Sequence, residues 1–216
     1  AAVGRVIDHL IAQYSNPYLA VIREVSSNAR DAHKAAGQTR PVEITLPSPL
    51  SPMLVIEDFG TGLTRKEMKL FGEFGSSSKH SDNEYIGGFG YGSKSPLAVS
   101  AEFTVRSIKD GKLNLAIVRR NENGAPIQSF LAETDTDEPN GTKVTVPTSE
   151  FQRFAALHEQ DFFPGWEKGS VLVDGEPPKS LSVYDEEIFD ALPDGLGWTM
   201  KADANLKTDQ ISAVLA

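Results

Sequence analysis

The chain has 216 residues, 39% of them hydrophobic and 24% charged, with a net charge of −9 and no cysteine. Those figures fit a globular chain with a sizeable core, and they exclude disulfides and thiolate zinc sites. An acidic balance also argues against broad, sequence-independent binding to nucleic acid, which rests on many Lys and Arg contacts to phosphate.

Residues 3–14 read as a short amphipathic helix with Val6, Leu10 and Tyr14 on one stripe. Asp8, His9 and Gln13 within it rule out a signal peptide. No stretch approaches the roughly 18 apolar residues of a membrane span. Together with the lack of cysteine, this points to a cytoplasmic protein.

Asn16-Pro17 is a helix-start signal, and the spacing predicts a helix over 17–36 that stops at Gly37. Tyr18, Val21, Ile22, Val25, Ala29 and Ala32 form its apolar face. Glu24, Asn28 and Asp31, spaced by four and then three, fall along another face. Ser26-Ser27-Asn28 is poor helix material, because short polar side chains compete for backbone hydrogen bonds. Two readings stand for this face. Either it is solvated, or Glu24 orients and deprotonates a water, Asn28 offers a neutral oxygen to magnesium, and Asp31 supports them.

Strands follow at 42–46 and 53–57. The second ends in Asp58-Phe59-Gly60-Thr61-Gly62, where glycines allow a sharp turn and the close approach of a flat ligand. Asp58 is either a turn residue or an acceptor for an exocyclic amine, a contact that tells adenine from guanine. Thr64 opens a short charged helix to about residue 71.

Residues 72–93 are rich in glycine and serine and lack apolar periodicity; a loop of that length is functional or disordered. Within it, Gly87, Gly88, Phe89, Gly90, Tyr91 and Gly92 expose closely spaced backbone N–H groups that can cradle phosphate. Ser93 or Ser95 is placed to cap a following helix. The P-loop pattern fails, since Ser93 stands where lysine is required and Lys94 comes one position late. The dinucleotide fingerprint fails too, at Ser95. A flexible surface loop is the alternative.

Further strands are predicted at 101–108, 113–119, 127–133 and 142–146, with hairpin turns at Asp110-Gly111 and Asn123-Gly124. A helix over 151–163 comes next, then weaker signals. The pattern changes after Pro147, which divides a first domain, 1–147, from a C-terminal extension, 148–216, the start of a coupling domain. His9, His33, His80 and His158 show no metal-ligand spacing and read as ordinary surface or core residues.

Four boxes in order now stand out: Glu24-x-x-x-Asn28-Ala29-x-Asp31-Ala32, Asp58-x-Gly60-x-Gly62, the glycine loop Gly87–Gly92, and Gly141-Thr142 opening a late strand. Together they resemble the gyrase, heat-shock chaperone, histidine kinase and MutL (GHKL) superfamily of ATPases. Tyr14-Ser15-Asn16-Pro17 looks like the ninety-kilodalton heat-shock chaperones, whereas Phe74–Lys79 and Gly92–Pro96 look closer to phage rIIA-type proteins, which would place the chain in the host cytoplasm.

The resemblance implies an α+β fold, a two-layer α/β sandwich of Bergerat type with helices on one face of a mixed, largely antiparallel sheet. It implies ATP and Mg2+ as ligands, Glu24 as general base and Asn28 as magnesium ligand. Asp58 would contact the adenine amino group with Thr142 behind it, Gly60 and Gly62 would shape the base pocket, and the Gly87–Gly92 amides would hold the phosphates. Residues 72–86 would be a nucleotide lid, and nucleotide would drive homodimerisation. Lys79, Ser93 and Lys94 are added as phosphate contacts, with solvated lysines on loops as the alternative. Lys168, Lys179, Lys201 and Lys207 lie where gyrase- and MutL-type relatives bring a lysine to the γ-phosphate, but no flanking motif selects one. Rival readings are a nucleotide-binding scaffold that does not hydrolyse, and a histidine kinase, whose only preceding phosphoacceptor candidate is His9.

Overall fold

A helix of 20 residues, α1 (Pro17–Ala36), is fixed at both ends by its own sequence. The Asn16 side chain accepts the N–H groups of Tyr18 and Leu19 at 3.1 and 3.2 Å, and Pro17 occupies the first helical position. Gly37 ends the helix in the left-handed conformation (φ 62°), returning its N–H to the last turn. The computed structural model describes residues 14–69, 92–157 and 166–178, with Glu159, Phe162, Phe163 and the backbone of 198–200 and 213–215. The helix predicted over 3–14 therefore lies outside the described residues, except for Tyr14 at its end.

The chain continues through β1 (Val42–Thr45), β2 (Met53–Asp58), α2 (Arg65–Met68) and a 3-10 helix at Gly92–Ala98. Next come β3 (Glu102–Lys109), β4 (Lys112–Arg120), β5 (Pro126–Asp135) and β6 (Gly141–Pro147). One turn of helix, α3 (Phe151–Ala155), precedes β7 (Val171–Val173), and β8 (Trp198–Met200) pairs with β9 (Ala213–Leu215). The main sheet runs β5-β4-β3-β6-β2-β1-β7, antiparallel throughout except for the parallel pair of β1 and β7. Asp110 (φ 52°) and Gly111 (φ 75°) form the two-residue turn between β3 and β4, with the left-handed pair that such hairpins demand.

Alternation along the strands turns one side of the sheet toward α1. Val21, Ile22, Val25 and Ala29 of the helix are buried with Leu54 and Ile56 of β2, Phe103 and Val105 of β3, and Val144 and Val146 of β6. Ser26 is buried in this interface and returns its hydroxyl to the Ile22 carbonyl, so the helix satisfies it internally. The core extends past Pro147: Phe154, Phe162, Val171 and Val173 belong to it. Tyr18 meets Phe154 edge-on with ring centres 5.2 Å apart, and the Arg30 guanidinium lies 5.2 Å from the centre of the Trp166 ring. These contacts tie α1 to the segment after β6.

Two expectations need correction. The helix predicted over 151–163 stops at Ala155; it has no side-chain cap at Glu150, and the chain instead turns so that Phe162 enters the core with Phe163 edge-on to it. Neither Ser93 nor Ser95 caps a helix, because the 3-10 helix already starts at Gly92 and both serines sit inside it. The short α2 does have a reciprocal cap, Thr64 with Glu67, and Lys109 of β3 pairs with the same Glu67 at 3.0 Å. Among the described residues, no helix is long and apolar enough to cross a membrane.

Because α1 carries the residues singled out above, its start is a sensitive point. Asn16→Ala is expected to lower stability by about 1 kcal/mol, measured by urea unfolding; an unchanged midpoint would show that the cap does not fix this helix.

Candidate functional site

The helix α1 meets two glycines at closest approach. A Cβ at Gly92 would strike Oε2 of Glu24, and a Cβ at Gly60 would stand 2.6 Å from the Ala32 carbonyl oxygen. Glu24, Asn28 and Ala32 are four residues apart, so they follow one another on a single stripe about 12 Å long. Gly92 marks one end of that stripe, Gly60 the other, and Asn28 lies between. Glu24 and Asn28 are half-buried, and burial raises the pKa of Glu24 above the usual carboxylate range. Asp31 is buried.

At the Gly60 end, β2 delivers Asp58 to the inner face, where it is 6% exposed. Its Oδ1 accepts the Gly60 N–H at 2.9 Å. Thr142 stands directly opposite on β6, Ser107 opposite Thr142 on β3, and Asn114 opposite Ser107 on β4. All four side chains are buried, so a polar row crosses an otherwise apolar face. Ser107 Oγ lies 2.8 Å from Thr142 Oγ1 and 3.1 Å from the Gly141 carbonyl, and it accepts the Leu63 N–H at 2.8 Å. One hydroxyl thus joins the segment after the Asp58 turn to the strand behind it. The far end of the row, Asn114 Oδ1, has no partner among the described residues.

Glycine is required at two further positions here. Gly62 has φ +64° and its missing Cβ leaves room for the Ile108 carbonyl; Gly141 has φ +159° and lies against the Asp58 carbonyl. Gly62 thereby lets the turn lie against the β3 backbone at Ile108, and Gly141 lets the start of β6 lie against the Asp58 backbone.

Burial pushes the Asp58 pKa up to about 7, with hydrogen bonds from Gly60 and Thr142 opposing it. The ionised carboxylate therefore sits at a cost to the fold that these two donors only partly offset and that a further donor would reduce.

The sequence-selected residues divide into two groups. Glu24, Asn28, Gly92, Asp58, Gly60, Gly62 and Thr142 come together around α1 and the ends of β2 and β6. Ser93 and Lys94 adjoin Gly92 in the 3-10 helix. Lys94 is 4% exposed with its ammonium 3.1 Å from Ser93 Oγ, so it is not a solvated loop lysine. Lys79, Gly87, Gly88, Phe89, Gly90 and Tyr91 lie outside the described residues. Sequence reasoning missed Ser107 and His33. Ser107 continues the inward positions of Phe103 and Val105, and His33 continues the buried stripe Val21, Val25, Ala29. A polar residue on an apolar stripe was the signal in both.

Among the described residues, no group of three His, Cys, Asp or Glu is arranged to hold a metal ion. A lone amide oxygen, Asn28 Oδ1, beside a carboxylate suits an ion such as Mg2+, which binds few protein ligands and shares substrate phosphates.

A mixed, largely antiparallel sheet with helices on one face and α1 packed against β2 and β1 defines the Bergerat-type α/β sandwich. A sequence profile of the family described as "Histidine kinase-, DNA gyrase B-, and HSP90-like ATPase" matches residues 15–142, and the chain belongs to that family. Its fold is similar to the ATPase region of Saccharomyces cerevisiae topoisomerase II, with 19% identity, a TM-score of 0.57, and coverage of 87% of this chain and 56% of that one. The same region bound to ICRF-187 (dexrazoxane) gives 16% identity and a TM-score of 0.58, with the same coverage. At these identities the likeness is one of fold, and this chain spans little more than half the length of either structure. A search of curated protein sequences gave no match.

The Asp58 pKa sets a stability test. A group whose pKa rises on folding stabilises the fold at low pH and loses that contribution as pH climbs, here between about 4 and 7. Asp58→Asn removes the ionisation and keeps the acceptor for Gly60. The variant is expected to exceed the wild type in stability at pH 8 by up to roughly 4 kcal/mol, with the gap closing toward pH 4. Equal stabilities at pH 8 would show that Asp58 is not held against ionisation.

Proposed function

We propose that this chain binds ATP with magnesium and hydrolyses it, using the binding to switch conformation. The observation that carries the reading is the single α1 stripe, which has Glu24 against Gly92 at one end and Ala32 against Gly60 at the other. About 12 Å separates the ends, the scale of a nucleotide laid along the helix. Asp58 would accept the exocyclic amine of adenine, with Thr142 and Ser107 holding the carboxylate from behind. Gly60 and Gly62 would let the flat base lie on backbone. The phosphates would run toward Gly92, Ser93 and Lys94, and the amides of Gly87–Gly92 would complete their cradle.

Glu24 is the group assigned to the chemistry. A water oxygen forms the new bond to the γ-phosphorus, the bond from that phosphorus to the β-γ bridging oxygen breaks, and ADP and phosphate leave. The Glu24 carboxylate takes the proton that the water gives up. A raised pKa makes it a stronger base, and a nearby cation favours its ionised form. Asn28 would hold Mg2+, which when bound neutralises phosphate charge; Asp31 would steady the helix face behind it.

By the resemblance drawn from the sequence, nucleotide would also close residues 72–86 over the site and pair two chains. The phage rIIA-type affiliation rests on Gly92–Pro96 and the 74–79 segment alone. The competing reading, a nucleotide-binding scaffold without turnover, leaves the carboxylate at position 24 without a task.

The test separates the two readings. Glu24→Ala is expected to keep ATP affinity within about threefold while reducing magnesium-dependent phosphate release by about 100-fold or more. A wild-type chain that binds ATP but releases no phosphate would establish the scaffold instead.

A further inference from the structure

The residue after Asp58 is gripped by the end of α1. His33 Nε2 accepts the Phe59 N–H at 2.8 Å, and Gln38 donates its side-chain amide to the Phe59 carbonyl at 3.0 Å. Gln38 is itself fixed, because its Oε1 accepts the N–H groups of Thr39 and Arg40, both at 2.9 Å. The Arg40 guanidinium stacks on the Phe59 ring, 3.3 Å from its centre. The Phe59 N–H is therefore held by the helix that carries Glu24 and Asn28, and its carbonyl by the residue just past the helix's Gly37 cap.

An imidazole nitrogen that accepts a hydrogen bond carries no proton, so His33 is neutral with its hydrogen on Nδ1. The ring is 7% exposed. Burial, with the charge of Arg40 in support, holds its pKa below the ordinary histidine value, while a hydrogen bond to the Arg40 backbone works against them. The charged group that acts on the ring is Arg40, in the segment after the helix; along the chain, Lys34 follows His33 on the helix and Asp58 precedes the bonded amide. Nothing in the proposed chemistry uses this imidazole. A plain core position would take an aliphatic side chain, as Val21, Val25 and Ala29 do on the same stripe.

We propose that His33 is the positioning residue for base recognition: by holding the Phe59 N–H to α1, with Gln38 on the carbonyl, it fixes where Asp58 presents its carboxylate to the purine amine. The proposal rests on the adenine reading of Asp58. A turn free to drift from the helix would move the carboxylate relative to Asn28 and Glu24, which ride on that helix. His33 thereby helps to hold the base and phosphate subsites in register, with Gln38 and the Gly60–Ala32 contact beside it.

The test is a double-mutant cycle read by calorimetry with Mg-ATP, on wild type, His33→Leu, His33→Gln, Asp58→Asn and the combined His33→Leu, Asp58→Asn chain. Leu fills the space without an acceptor; Gln supplies one. His33→Leu is expected to weaken binding about tenfold or more, and His33→Gln to stay within about threefold of wild type. In the Asp58→Asn background the Leu substitution is expected to add little, because the two residues act as one unit. Equal losses from Leu in both backgrounds, or a Gln variant as weak as the Leu variant, would overturn the proposal and leave His33 a packing residue. If Asp58→Asn itself binds ATP like wild type, the base assignment fails first and the proposal goes with it.

A measurement on the wild-type protein removes dependence on the Leu variant folding. The Phe59 amide resonance is expected to move with pH in step with the His33 ring, and to lose that step in His33→Gln. A Phe59 amide indifferent to the His33 titration contradicts the hydrogen bond on which the proposal stands.

Discussion

Close contact between one helix and two glycines, through backbone at one and a carboxylate at the other, is the constraint from which the rest of this structure follows. At Gly60 the turn after β2 lies against the Ala32 carbonyl, and at Gly92 the 3-10 helix lies against the Glu24 carboxylate. A methyl group at Gly60 would strike helix backbone, and one at Gly92 would displace the Glu24 carboxylate. The apolar face of Val21, Ile22, Val25 and Ala29 packs the same helix into the core. Segments distant along the chain are thereby brought to one line on one helix.

Electrostatics then divides that line. At one end Asp58 is buried in a polar row that runs through Thr142 and Ser107, and its hydrogen-bond partners among the described residues, Gly60 and Thr142, are neutral. A buried acceptor held by neutral donors suits a further neutral donor such as an amine and repels an anion. At the other end a half-buried Glu24 meets glycine, with the buried Lys94 two residues further on. A ligand with a neutral, amine-bearing plane at one end and an anionic chain at the other matches this polarity. The family to which the chain belongs gives that ligand its expected identity.

Much of this was legible in the sequence, for local reasons. The bounds of α1 follow from Asn16-Pro17 and Gly37, whose capping geometry depends on neighbouring residues only. The Asp110-Gly111 turn is equally local and sets the β3–β4 register. The cross-strand facts were legible only through the resemblance. That Thr142 faces Asp58 depends on a register between residues 84 positions apart, which no local pattern encodes. Ser107 and His33 each interrupt an apolar stripe, but their roles arise from a partner on another element, which no local pattern names. The 151–163 helix failed for a similar reason: its local periodicity was outweighed by the burial of Phe162 in the common core.

The account's central claim is that one nucleotide lies along α1 from Asp58 to Gly92. A crystal structure with magnesium and a non-hydrolysable ATP analogue tests it most directly. The expected result has the adenine amine on the Asp58 carboxylate, the metal beside Asn28, and the γ-phosphate within reach of Glu24 through one water. A nucleotide seated elsewhere, or one lying here with Glu24 turned from its phosphates, would contradict it.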